Sequence, residues 1–149
     1  MKTFARRTAA LVLALWPMLA TASAAKDECF ACHQALSDKP SALFHKDIHR
    51  QKGITCAGCH GGRADTDDMT AAMDSSAGFL GVPKGDAISR ACANCHSSEE
   101  RMKSLGSAVA VRQWESLQSS VHGKMVDAGG NHVVQCISCH DAHGILSTK

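Results

Sequence analysis

Apolar residues form one sustained run near the N-terminus and are otherwise spaced in short groups. A helical spacing is clearest in one segment, at Val111, Trp114, Leu117 and Val121. The segment 41–49 (SALFHKDIH) is similar and places His45 and His49 four residues apart, on one face of a helix. No stretch alternates apolar and polar residues for long enough to predict a strand. The pattern predicts a mainly α-helical protein with much irregular loop and little or no sheet.

The apolar run has the features of an export segment. Residues 8–20 (TAALVLALWPMLA) follow the basic residues Lys2, Arg6 and Arg7, and Ala-Ser-Ala at 22–24 is a small-residue cleavage pattern. The competing interpretation is an uncleaved membrane anchor, but the run has thirteen residues and contains Pro17, whereas a span needs about 17–25 residues. We therefore predict a cleaved signal peptide at residues 1–24 and a periplasmic mature chain, residues 25–149, that has no stable membrane span.

Composition limits how the mature chain can be held together. The whole chain has 16 basic and 14 acidic residues, and loss of the three basic residues of the signal leaves 13 basic against 14 acidic. This balance gives no basic footprint for nucleic acid. With four Phe, two Trp and no Tyr, the chain cannot form a deep apolar core. A protein of this size then depends on disulfides, metals or cofactors.

All eight cysteines belong to one repeated motif, Cys-x-x-Cys-His. The pattern occurs as CFACH, CAGCH, CANCH and CISCH, and is typical of c-type haem attachment. The two thiols of each motif would bond to the two vinyl groups of one haem, and the adjacent histidine would bind its iron. The predicted haem-attaching residues are Cys29, Cys32, Cys56, Cys59, Cys92, Cys95, Cys136 and Cys139. The predicted proximal iron ligands are His33, His60, His96 and His140. The sequence thus predicts four haem c groups, each with one iron.

Three other uses of paired cysteines explain less of the pattern. Four disulfides would suit an exported protein, and Cys-x-x-Cys pairs could build two zinc sites. Neither accounts for a histidine at the same offset in every motif. A thioredoxin-like site needs one such pair in an α/β pattern, whereas this chain has four pairs and no predicted strands.

Five further histidines are candidates for the second axial position of the irons. We favour His49, His122 and His143, then His45, and least of all His132. Because His143 follows the proximal His140 by only three residues, it cannot easily bind the same iron from the other side. We expect it to reach a second haem, which requires close packing of the haems.

Two methionines compete for one of these positions. Met73 and Met102 flank the third motif, and a Met ligand would raise the potential of a haem relative to a His ligand. The alternative is that both pack against porphyrin faces as apolar filler.

The order of motifs divides the chain into two similar halves, approximately 25–62 and 87–149. Each half has an attachment motif, a histidine-bearing helical stretch and a second attachment motif, which suggests a duplicated two-haem unit within a single domain. The connecting segment 61–86 is rich in Gly, Asp and Ser and predicts a loop, with a turn or two of helix around Met69–Met73.

These motifs resemble those of small periplasmic tetrahaem cytochromes, including the class III type. The tract CHGG…AM…GF-x-G-x-P…CxxCHS…M…W…SSVHG…CxxCHxxHG, over residues 56–145, is similar to exported multihaem cytochromes. The resemblance implies a small haem-packed fold and mostly bis-His, low-potential haems. It also implies that the His of SVHG and the second His of CHxxH, here His122 and His143, are distal ligands. The more distant NapC/NirT type keeps a membrane anchor that we do not expect in the mature chain, so direct quinol oxidation is not expected.

The expected function is electron transfer rather than catalysis. Bis-His iron has no open position for a substrate, and the expected partners are a quinol-oxidising membrane complex on one side and a terminal reductase or other cytochrome on the other. One alternative is an enzyme with one open haem that acts on a small nitrogen or sulfur compound. Another is a subunit of a haem-chain assembly, in which His132 binds a haem of an adjacent copy.

Overall fold

The computed structural model describes residues 26–147, so the predicted signal peptide lies outside the described residues. This part of the chain contains eight short α-helices: α1 Glu28–Ala35, α2 Lys39–Phe44, α3 Ile48–Gln51, α4 Ala57–His60, α5 Met69–Ala72, α6 Ala87–His96, α7 Glu99–Ser104 and α8 Gln113–Ser119. It also contains two 3-10 turns, Ser75–Ala77 and Cys136–Ser138. The β-pairing of residues 26–147 is a single bridge between Val126 and His132. The mainly helical fold with irregular loops is confirmed.

None of these helices is long and apolar enough to cross a bilayer.

Most of the helices begin at a polar residue whose side chain accepts a hydrogen bond from a backbone N–H of the first turn, which satisfies a donor that the helix itself leaves unpaired. The residues that cap in this way are Asp27, Asp38, Asp47, Asp68 and Ser98. The short helices are thus defined by local polar contacts as much as by apolar packing.

One of these caps corrects the prediction of a continuous helix over 41–49. Helix α2 ends at Phe44, and α3 begins after Asp47, whose backbone is extended (φ −69°, ψ 139°). The Asp47 carboxylate accepts a hydrogen bond from the His49 backbone N–H (2.8 Å). His45 therefore follows α2 while His49 lies in α3, so the two do not share a helix face.

The predicted helix that was to end at His122 is also shorter than expected. Helix α8 ends at Ser119, and Ser120 has an extended backbone. The Ser120 hydroxyl accepts a hydrogen bond from the Gly123 N–H (3.1 Å), which closes a turn. His122 therefore lies in this turn, beyond the helix.

The apolar core is as thin as the composition predicts. Among the described residues the buried apolar side chains are Phe30, Phe44 and Met102. The Phe30 and Phe44 rings pack with centroids 6.2 Å apart, and the Arg50 guanidinium lies 3.7 Å from the Phe30 centroid. Many large apolar side chains are exposed, among them Leu36, Met69, Leu80, Val82, Val121 and Leu146. These side chains leave an apolar surface that a porphyrin could cover.

Both predicted halves contain the same type of link between their two attachment motifs. In the first half, the Cys56 backbone N–H donates to the carboxylate of Asp27, just before Cys29 (3.0 Å). In the second half, the Cys136 N–H donates to the hydroxyl of Ser89, just before Cys92 (2.9 Å). Helix α4 also packs against α6. The two hydrogen bonds and the packing of α4 on α6 together place the four motifs next to one another in chain order.

Candidate haem-binding site

Each attachment motif lies on or beside a helical turn. CFACH lies within α1, CAGCH consists of the N-cap residue Cys56 and α4, CANCH ends α6, and CISCH begins with the turn at 136–138. Residues three apart on a helix project from the same side, so the two thiols of a motif can face one porphyrin. All eight cysteines are free thiols. The two thiols of each motif are therefore placed so that they can form two thioether bonds to one haem.

The thiols of neighbouring motifs also lie close to one another. Burial, with smaller contributions from Asp27 and Cys29, raises the pKa of Cys56 to about 12. Burial raises the pKa of Cys92 to about 11, with Cys136 the next contributor. Both thiols are therefore protonated at neutral pH.

Two of the four proximal histidines face a distal candidate from the other half of the chain. The His60 and His143 rings are nearly parallel (9°), with centroids 6.0 Å apart. The His49 and His96 rings also have centroids 6.0 Å apart, but are almost perpendicular (83°). With metal–nitrogen bonds of about 2 Å and about 1 Å from each nitrogen to its ring centre, two imidazoles on one metal have centroids about 6 Å apart. The separation of the ring centroids in both pairs is the one expected for two imidazoles on one metal.

The burial of these rings favours the form that binds metal. Burial lowers the pKa of His96, with the neighbouring His49 contributing, and burial lowers the pKa of His143, with His60 contributing. A neutral imidazole has a free nitrogen lone pair, which is what an iron needs.

Several rings are also oriented through their second nitrogen. The Nδ1 of His60 donates to the Gly81 carbonyl (2.8 Å), and the Nδ1 of His49 donates to the Asp47 carboxylate (2.8 Å). His33 Nδ1 is hydrogen-bonded to Asp38. Metal-binding histidines almost always donate their other N–H in this way, which fixes the ring and leaves Nε2 for the metal.

The loop 61–86 positions the Gly81 carbonyl against His60. The Leu80 N–H donates to the His60 carbonyl (2.8 Å). Gly61 has a φ of +68°, and a Cβ at that position would lie 1.9 Å from the Gly78 carbonyl oxygen. Only glycine permits this close approach. The predicted helical turn near Met69 is present as α5, but the contact of this loop with His60 was not predicted.

His132, the least favoured candidate, is held as firmly as His49. Its Nδ1 and its backbone N–H donate to Asp86 (2.9 and 2.8 Å), and its ring lies edge-on to Trp114 with centroids 5.6 Å apart. Hydrogen bonds from Gln135 and His132 lower the pKa of Asp86 to about 2, so it is an acceptor carboxylate. The aspartate lies 46 residues from His132 in the chain, so no local pattern could reveal it.

The other candidate ligands do not form a pair of imidazole rings like those of His49 with His96 and His60 with His143. His45 and His122 are exposed, as are the proximal His33 and His140. Met102 is buried, whereas Met73 is exposed. The structure thus brings together His49 with His96 and His143 with His60, and it places none of His45, His122 and His132 in a comparable ring pair with His33 or His140.

Neither zinc nor disulfide chemistry gains support from this geometry. Within residues 26–147, no three of His, Cys, Asp and Glu come together as a metal cluster. The thiols, the facing imidazole pairs and the exposed apolar surface together fit covalent haem.

Comparison with known families agrees with this geometry. Residues 48–148, which contain the last three motifs, match the cytochrome c3 family. The chain belongs to the cytochrome c3 family. Residues 8–61, with the first two motifs, are also similar to the family of cytochrome c554 and c-prime. Comparison with curated proteins and with solved structures finds no match.

Membership of the cytochrome c3 family establishes the general function of the protein. The protein is a multihaem c-type cytochrome with covalently bound haem c, and it transfers electrons to or from redox partner proteins. When bound, haem supplies an iron that accepts and releases single electrons. The protein's own residues attach the haem, supply axial nitrogens and set the polarity around it.

Proposed function

We propose that the chain is a periplasmic electron carrier with four haem c groups, one on each Cys-x-x-Cys-His motif. His33, His60, His96 and His140 are the proximal ligands. His143 is the distal ligand at the second motif and His49 is the distal ligand at the third. The two imidazole pairs with 6.0 Å between centroids are the observation that carries this proposal.

The proposed ligation is crosswise between the halves. His49 belongs to the first half and completes a site of the second, whereas His143 belongs to the second half and completes a site of the first. The two central haems thus have no open position for a substrate, which favours electron transfer over catalysis. The distal ligands at the two outer motifs come from His45, His122 and His132.

The proposed direction of electron flow is from a quinol-oxidising membrane complex to a terminal reductase or another cytochrome. The mature chain is close to neutral in its own charge, so the haem propionates would make its surface negative. A partner with a basic docking patch would then be steered towards it. Faster reduction by such a complex at low salt than at high salt would support this.

The test of the ligand pairs is spectroscopic. The intact mass of the mature protein should show four haems, and paramagnetic resonance of the oxidised protein should show low-spin iron at the central sites. His49→Ala and His143→Ala should each convert one haem to a high-spin or ligand-binding form. Ser119→Ala, on the exposed side of α8, is the matched control and should leave the spectrum unchanged. Fully low-spin spectra in both histidine variants would refute the assigned pairs.

The first and fourth motifs decide between a pure carrier and the enzyme alternative. Because their proximal histidines are exposed, any open iron should lie there. A high-spin signal in the unmodified protein, together with turnover of nitrite, hydroxylamine or a sulfur oxyanion, would favour the enzyme.

A further inference from the structure

Asp47 is the most enclosed carboxylate of the described residues, with 1% of its surface exposed. One of its oxygens accepts hydrogen bonds from the backbone N–H and from the ring Nδ1 of His49, both 2.8 Å. Its other oxygen accepts from the N–H groups of Gly144 (2.7 Å) and Ile145 (2.9 Å). One carboxylate therefore touches the ring of one proposed distal ligand and the backbone directly after the other, His143.

A further hydrogen bond fixes the two segments in register. The Ile48 N–H donates to the Ile145 carbonyl (2.8 Å). The Phe44 ring lies edge-on to the His143 ring, with centroids 6.5 Å apart. The segment that holds His49 is thus bound to the segment that holds His143, although Asp47 is 97 residues from Gly144 and 98 from Ile145 in the chain.

We propose that Asp47 is a positioning residue shared by the two central haem sites. It orients and polarises His49 for the iron of the third motif, and it anchors the segment of chain that presents His143 to the iron of the second. This inference rests on the ligand pairs proposed above.

The two effects of Asp47 differ in kind. A carboxylate that accepts from Nδ1 makes the opposite nitrogen a stronger donor, which stabilises ferric iron and lowers the potential of that haem. His143 has no such contact with Asp47, so its dependence is purely geometric. Loss of the carboxylate should therefore raise the potential of one haem and loosen the distal ligand of another.

Asp47→Asn is the informative substitution, because the amide has one acceptor oxygen where the carboxylate has two. The NH2 group of the asparagine would face N–H groups that donate to the carboxylate in the unmodified protein, so those hydrogen bonds would be lost. Asp47→Ser is the second variant, since serine also caps a helix well but is too short to serve both segments. It keeps the proposal testable where the Asp47→Asn protein fails to mature. Asp68→Asn is the control, because Asp68 caps the four-residue helix α5 through Thr70 and Ala71 and touches no histidine.

Paramagnetic resonance can follow the two sites separately. Nearly perpendicular imidazoles, as in His49 and His96, give a strongly anisotropic low-spin signal, whereas nearly parallel imidazoles, as in His60 and His143, give a rhombic one. In both Asp47 variants we expect the anisotropic signal to shift, with a higher midpoint potential, and the rhombic signal to lose intensity to high-spin iron. The haem count by mass should remain that of the unmodified protein.

The outcomes separate the two proposals. If His49→Ala and His143→Ala each free one haem while both Asp47 variants match Asp68→Asn, the ligand pairs hold and the role of Asp47 is wrong. If only the anisotropic signal responds to Asp47, the shared role is wrong. If neither histidine variant changes the spin state, the ligand pairs themselves fail.

Discussion

Ser89→Ala removes the hydroxyl that links the third and fourth attachment motifs. Ser89 has no exposed surface. Its hydroxyl donates to the Gln135 side-chain oxygen (2.6 Å) and accepts from the Cys136 backbone N–H (2.9 Å). Gln135 in turn donates to Asp86 (3.0 Å). The hydroxyl is therefore the centre of a buried network that fixes where the fourth motif begins.

The cost of this substitution follows from the two partners that it leaves behind. A buried donor or acceptor without a partner costs about 1–3 kcal/mol, but alanine also removes the cost of burying the hydroxyl itself. We expect the free energy of unfolding to fall by about 2–3 kcal/mol. Ser119→Ala, whose exposed hydroxyl donates within α8 to the Ser116 carbonyl, should cost less than about 0.5 kcal/mol.

The assay is equilibrium unfolding of the oxidised protein in guanidinium chloride, followed by far-ultraviolet circular dichroism and by haem absorbance. Coincident transitions would validate a two-state treatment. The double variant with Gln135→Ala should cost less than the sum of the two single variants, because they share one hydrogen bond. A Ser89→Ala protein that unfolds within about 0.5 kcal/mol of the unmodified protein would refute the reasoning.

Three further predictions concern the loop, the core and the cofactor. Gly61→Ala should cost at least about 2 kcal/mol more than Gly53→Ala, because both have positive φ but only Gly61 has a backbone oxygen in the way; equal midpoints in denaturant would contradict this. Phe44→Ala should cost about 3 kcal/mol, whereas Leu36→Ala, at a 70% exposed side chain, should cost less than about 0.5 kcal/mol; similar losses in both would show that the core lies elsewhere. Replacement of all eight cysteines by serine should prevent haem attachment and abolish cooperative thermal unfolding by circular dichroism, and a sharp transition would contradict a haem-dependent fold.

The attachment motifs and the helical class could be predicted because both depend on local sequence. A thiol pair and its histidine lie within five residues, and helical spacing can be detected over about two turns. The signal for the helix break at Asp47 was also local, since an aspartate can cap a new helix by accepting a hydrogen bond from a backbone N–H two residues later. The apolar spacing of 41–49 outweighed that signal, and the prediction of one shared face for His45 and His49 was wrong.

The distal positions could not be predicted in full because they depend on contacts between the halves. His143 was expected to reach a second haem because it follows His140 so closely, but nothing in the sequence indicated that it would face His60. The hydrogen bonds that hold His132 could not be predicted, because its partner Asp86 is 46 residues away in sequence. The role of the 61–86 loop in holding His60 was missed for the same reason.

The position of His143 in the chain has a consequence for how the protein matures. His143 comes after all four attachment motifs, yet its ring faces His60 in the second. With the proposed ligand pairs, the second haem keeps a vacant axial position until the segment after the fourth motif has docked on Asp47. Under this proposal the second haem becomes six-coordinate only when both halves are present. A chain that lacks the segment after the fourth motif should therefore have a haem iron that binds carbon monoxide or cyanide.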